Sequence, residues 1–120
     1  MPRSGSTLLA HLLCRHKLIA ADPRSSPVCA SLLGIRRRIS DDSFMLSRLD
    51  TTPHMACDGL REAMRGFVAG WYSHAPEGSI VVDKSRAWLP SIDLALDLFP
   101  KAVIVVCVRE LGQILGSIED

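Results

Sequence analysis

The sequence predicts an α/β fold built on a parallel sheet. A polar, glycine-bearing turn, Pro2-Arg3-Ser4-Gly5-Ser6-Thr7, runs directly into a leucine-rich helical segment. Two apolar runs rich in β-branched residues, Ile80-Val81-Val82 and Ala102 to Val108, each end in charged residues and lead into a helical pattern. The resulting order is loop–helix, helices, strand–helix, strand–helix, which favours parallel strands joined by helical crossovers. Charged residues at the C-terminal ends of parallel strands lie on the edge of the sheet where such folds bind ligands.

Each element follows from its own residues. Leu8, Leu9, Leu12 and Leu13 share one helical face, so helix one is expected from Ser6 to His16. Its polar face carries His11, Arg15 and His16, which no spaced carboxylate or cysteine turns into a metal set. Ala20 to Pro27 reads as a loop, because Asp22-Pro23 and Ser26-Pro27 are turn signals. Val28 to Arg38 reads as a second helix, whose basic end Arg36-Arg37-Arg38 suits the negative end of the helix dipole. Aromatic residues do not interleave these arginines, so they are read as a solvated helix end rather than a nucleic-acid patch. Asp41-Asp42 is expected to open a short helix holding Phe44, Met45 and Leu49, and Thr51-Thr52-Pro53 to break it. Leu60, Met64, Phe67, Val68, Trp71 and Tyr72 form the clearest helical stripe and are read as core. Pro76 and Gly78 mark the turn after it. Ile80 to Val82 then reads as a buried strand. Leu89, Ile92, Leu96 and Phe99 mark a helix that Pro100 stops. Ala102 to Val108 reads as a central parallel strand. Leu111, Ile114, Leu115 and Ile118 mark a last helix.

Bulk composition narrows the class. The 120 residues suit one small domain or part of a larger one, without an internal linker. Apolar residues make up 48% of the chain, enough for a packed core. A net charge of +1 offers no general field for nucleic acid or membrane, so any anion site must be local. The four cysteines, Cys14, Cys29, Cys57 and Cys107, lack metal or C-x-x-C spacing. Their apolar contexts suggest buried free thiols, which suits a reducing cytoplasm. The run Leu8 to Leu13 lacks a signal-peptide cleavage pattern, and Ala102 to Val108 is too short to span a bilayer.

The opening turn is the chemically informative stretch. It stands at a helix N-terminus, where backbone N–H groups lack intrahelical acceptors and the dipole is positive. Gly5 permits close approach of a ligand to the backbone, and Arg3 supplies a fork of donors suited to phosphate or sulfate. Ser4, Ser6 and Thr7 add hydroxyl groups. The pattern points to an anion cradle; the competing interpretation is an ordinary helix capped by Ser4 or Ser6. No Gly-Lys dipeptide is present, so the turn is not a Walker A motif.

The string Pro2-Arg3-Ser4-Gly5-Ser6-Thr7-Leu8-Leu9 resembles the 5′-phosphosulfate loop of sulfotransferases that use 3′-phosphoadenosine-5′-phosphosulfate (PAPS). Val108-Arg109-Glu110 with Ser117 resembles the 3′-phosphate element of the same family. Ser25-Ser26-Pro27-Val28 and Val81 to Trp88 extend the likeness to the front part of small bacterial members. The resemblance implies a P-loop-like parallel sheet with flanking helices. It also implies an incomplete domain over 1–120, because the strand expected before the loop and a C-terminal half are not in this sequence.

By that resemblance, Arg3, Ser4, Gly5, Ser6, Thr7 and Leu8 would hold the 5′-phosphosulfate, and Arg109 and Ser117 the 3′-phosphate. Arg3 and Lys84 would be catalytic, with Lys84 near the transferred group; a solvated loop lysine is the alternative for Lys84. PAPS would be the co-substrate and no metal is expected, since arginine and lysine can supply the positive charge. The loop after helix one would lie near the acceptor. There, related enzymes that modify peptides carry a glutamate, and this chain has Arg24-Ser25-Ser26. Asp22, Asp83 and His16 are the substitute bases the sequence offers, and it does not choose among them. Two other functions fit parts of the pattern: a kinase with a degenerate phosphate loop, and a non-catalytic nucleotide-binding remnant. Lack of Gly-Lys-[ST] and of an acidic strand end for Mg²⁺ argues against the kinase. The acceptor and the oligomeric state are not encoded legibly.

Overall fold

The computed structural model describes residues 5–110 and 112. The chain is mixed α/β and divides into two compact units. One comprises Met1–Ser26, Ala75–Arg86 and Val103–Asp120, and the other Pro27–His74 and Ala87–Ala102.

The first unit carries helix α1 (Ser6–Leu13) and the strands β1 (Ile19–Ala21) and β2 (Ile80–Val82). The strands pair in parallel with Ile19 opposite Ile80, Ala20 opposite Val81 and Ala21 opposite Val82. Ile80 also donates its N–H to the Leu18 carbonyl at 2.7 Å. A parallel pairing is therefore present, but it joins β2 to β1 and not to residues 102–108, and β1 overlaps the loop expected from Ala20. Its three residues include two alanines, so no local β signal marks them. Helix α1 stops three residues short of His16. A tight turn follows, with the Arg15 N–H on the Leu12 carbonyl and the His16 N–H on the Leu13 carbonyl. Ala10 of α1 is buried and Leu9 and Leu13 are half-buried, while Leu8 and Leu12 are exposed, so only one side of the leucine face packs.

The predicted strand Ala102 to Val108 does not form. Residues 102–110 make no ladder, and Val103, Val105 and Val108 are 86%, 68% and 86% exposed. A strand exists only when a neighbour accepts and donates its backbone bonds. The sheet among the described residues has two strands, and neither pairs with this segment. β2 also differs from the buried strand expected, since Ile80 and Val81 are exposed on this small sheet. The last predicted helix, with Leu111, Ile114, Leu115 and Ile118, lies outside the described residues.

The second unit is helical: α2 (Val28–Ser40), α3 (Ser43–Thr51), α4 (Pro53–Trp71) and α5 (Ile92–Leu98), with a 3₁₀ turn at Arg86–Ser91 leading into α5. Its core is Val28, Leu32, Met64, Leu94 and Leu98. Leu60, Phe67, Val68, Tyr72 and Trp88 pack against that cluster. α3 begins where expected, because the Asp42 side chain accepts the Met45 N–H at 3.0 Å as an N-cap. Pro53 opens α4, where its missing N–H costs nothing.

Two core expectations change here. Trp71 shares the phase of Met64 but is 47% exposed, because it is the final residue of α4, about two turns beyond the centre of the cluster. α5 buries Leu94, Ala95 and Leu98, whereas Leu89 and Leu96 are exposed. The 3₁₀ turn containing Pro90 resets the helical phase, so a pattern counted from Leu89 picks the wrong face. Arg65 ties the end of α5 to α4 by donating to the Leu98 carbonyl at 2.7 Å. Arg61 adds a surface ion pair to Asp97 at 3.2 Å. Of the cysteines, only Cys29 is buried; Cys14 and Cys57 are exposed and Cys107 is partly so, and none of the four is in a disulfide. Apolar sequence context translated into full burial at Cys29 and not at the other three.

Among the described residues, no helix is long and apolar enough to cross a membrane.

Candidate active site

The first unit brings the loop–helix junction and the end of β2 together. Gly5 caps α1 in the left-handed region, with φ 85° and ψ −1°. An added Cβ would meet nothing within 4 Å, so backbone conformation rather than crowding favours glycine here. The first intrahelical bond runs from the Leu9 N–H to the Gly5 carbonyl at 2.9 Å. The N–H groups of Ser6, Thr7 and Leu8 stand before it, at the positive end of the eight-residue helix. Thr7 and Leu8 are exposed.

Lys84, two residues beyond β2, reaches this junction. Its ammonium donates to the Thr7 hydroxyl at 2.9 Å and to the Pro23 carbonyl at 2.6 Å. Its own carbonyl accepts the Ser26 N–H at 2.7 Å. Lys84 is thus anchored at both ends to the 22–26 segment, and its charge is held beside the first turn of α1. A hydroxyl, a helix N-terminus and an ammonium on one exposed loop form a donor set that fits an anionic group.

The 22–26 segment has its own lock. Arg24 donates to Asp22 through Nε at 3.0 Å, through Nη2 at 2.8 Å and through its backbone N–H at 2.8 Å. The guanidinium bonds, and then the backbone bond, hold the Asp22 carboxyl down at about 2. Asp22 in turn raises the Arg24 guanidinium above its ordinary value. A carboxylate so weakly basic is a poor proton acceptor near neutrality. His16 uses its Nδ1 to accept the Leu18 N–H at 3.2 Å. Asp83 is half-buried beside Lys84.

Of the residues singled out by sequence, Gly5, Ser6, Thr7, Leu8 and Lys84 meet at this junction. Arg3, Ser4 and Ser117 lie outside the described residues. Arg109 is exposed and follows a segment without ladder bonds, not the end of a paired strand. The sequence assigns no part to the Pro23 carbonyl, and it offers Asp22 as a base rather than as the partner of Arg24. An Asp two residues before an Arg in a Pro turn signals a local lock, but no side-chain pattern announces a carbonyl. Among the described residues, no group of three or more His, Cys, Asp or Glu side chains gathers as a metal set.

The family model described as "Sulfotransferase family" matches residues 1–118. No curated protein and no solved structure gave a significant match. With nearly its whole length matched, the chain belongs to the sulfotransferase family.

Proposed function

We propose that the chain transfers a sulfuryl group from PAPS to a hydroxyl or amine acceptor. The observation that carries this is the bond from Lys84 to Thr7, which keeps a permanent cation on the loop that resembles the phosphosulfate cradle. The donor supplies an activated sulfuryl group whose bond to the phosphate oxygen breaks as the bond to the acceptor forms.

The backbone donors from Ser4 to Leu8 and the hydroxyls of Ser6 and Thr7 hold the 5′ end of the donor. Arg3 and Lys84 offset the charge that builds on the leaving oxygen, the largest service a protein gives to such a transfer. Arg109 and Ser117 hold the 3′-phosphate. The acceptor proton goes to Asp83, since Asp22 is committed to Arg24 and the acceptor nitrogen of His16 takes the Leu18 N–H.

The test is calorimetric titration of the chain with adenosine 3′,5′-bisphosphate, with ATP as control and Arg109→Ala beside it. Selective binding, weakened about tenfold to a hundredfold in the variant, is expected from loss of a charged phosphate contact. Equal binding of ATP, unchanged in the variant, would favour a kinase-like loop. No binding by the folded chain would leave a non-catalytic remnant.

A further inference from the structure

The helical unit has a cavity of about 550 Å³ between α2, α3, α4 and α5 that the sulfuryl-transfer site does not use. Its apolar surface comes from Ile39, Leu49, Leu60, Met64 and Leu94. The size lies in the range of small-molecule sites. Arg61 and Asp97 form one charged wall and neutralise each other at 3.2 Å, with Asp58 on Arg61 at 2.8 Å.

Two more charged residues line the same cavity, Arg36 from α2 and Asp93 from α5. Neither side chain has an ion-pair or hydrogen-bond partner among the described residues. An N–O separation within 4.0 Å would make them a salt bridge, so their charged atoms stand further apart than that. A cation and an anion therefore border one apolar surface across a gap too wide for direct pairing.

We infer that this cavity binds a small zwitterion with an apolar side chain, its carboxylate on Arg36 and its ammonium on Asp93. The guanidinium fork matches a carboxylate by two parallel hydrogen bonds. The apolar side chain covers Leu60, Met64 and Leu94, and the adaptable Met45 closes over it. Charge complementarity selects this class against its neighbours. A zwitterion gains two charged contacts here, whereas an anion or a cation alone gains one and a neutral apolar ligand gains none. Hydrophobic α-amino acids carry the required three features within one small molecule.

The experiment uses the full chain with ¹³C-methyl-labelled methionine, titrated with L-phenylalanine, 3-phenylpropionate and 2-phenylethylamine. Phenylalanine is expected to shift the Met45 and Met64 methyl signals and to leave Met55, which is 73% exposed and outside the cavity, unmoved. It should bind about tenfold more tightly than either single-charge analogue, the effect of one charged hydrogen-bonded contact. Arg36→Gln should erase its advantage over 2-phenylethylamine, and Asp93→Asn its advantage over 3-phenylpropionate. Both residues are exposed, so these variants keep the fold. Equal affinity for all three compounds, indifference to both substitutions, or no shift at Met45 and Met64 would each overturn the assignment.

Discussion

The ammonium of Lys84 lies 2.9 Å from the hydroxyl of Thr7, a residue 77 positions earlier in the chain. This bond, with the 2.6 Å bond to the Pro23 carbonyl, turns a loop lysine into a fixed charge at the start of α1. Two competing interpretations of Lys84 were a solvated side chain and a group near the transferred sulfuryl. Its anchoring argues against the first, and the second is the role proposed above.

Replacing Lys84 by methionine keeps much of the stem and removes the charge. Transfer from PAPS should fall by about a hundredfold to a thousandfold, the usual cost of losing one preorganised donor. Binding of adenosine 3′,5′-bisphosphate should change far less. Single-turnover rates measured beside calorimetric affinities would separate the two. A parallel loss of both would assign Lys84 to binding alone.

Gly5→Ala tests the cradle's backbone. Because φ is 85° and nothing crowds the position, the cost is conformational, about 1–2 kcal/mol. If α1 instead relaxes its first turn, stability is preserved and bisphosphate affinity drops. Urea midpoints and calorimetry on the same samples read both, and a variant unchanged in each would show that the left-handed turn is dispensable.

The Asp22–Arg24 pair predicts a pH dependence with a definite sign. The folded carboxyl sits at about 2, below its ordinary 3.8. Stabilisation from this pair is thus complete above the ordinary value and is lost as pH falls through about 2. Both side chains are largely exposed, so the contribution is small. Carboxyl ¹³C titration should show the Asp22 midpoint moving up toward 3.8 in Arg24→Gln. A midpoint that stays put would assign the shift to another cause.

Helix α5 offers a direct test of which face is core. Leu98→Ala removes a side chain 1% exposed and should cost about 2–5 kcal/mol. Leu96→Ala, on the exposed side, should stay within about 0.5 kcal/mol. Chemical denaturation midpoints decide, and the reverse ranking would restore the phase counted from Leu89.

Local chemistry made much of the helical unit legible. The Asp42 cap, Pro53 at the start of α4 and the stripe through Leu60, Met64, Phe67 and Val68 act within a few residues of themselves. The start of α1 was legible for the same reason: Gly5 stands directly ahead of a leucine-rich helix. β1 was not, since Ile19-Ala20-Ala21 becomes a strand only through its pairing with Ile80-Val81-Val82.

By itself, then, the sequence determined the helices, the glycine turn and the family to which the chain belongs. These rest on short-range propensity, capping and contiguous motifs. Tertiary structure alone decided that Lys84 meets Thr7 and Pro23 and that 102–108 remains unpaired. A strand needs a partner for its backbone and a charge needs a neighbour to set its role, and both come from residues that the linear chain does not place together.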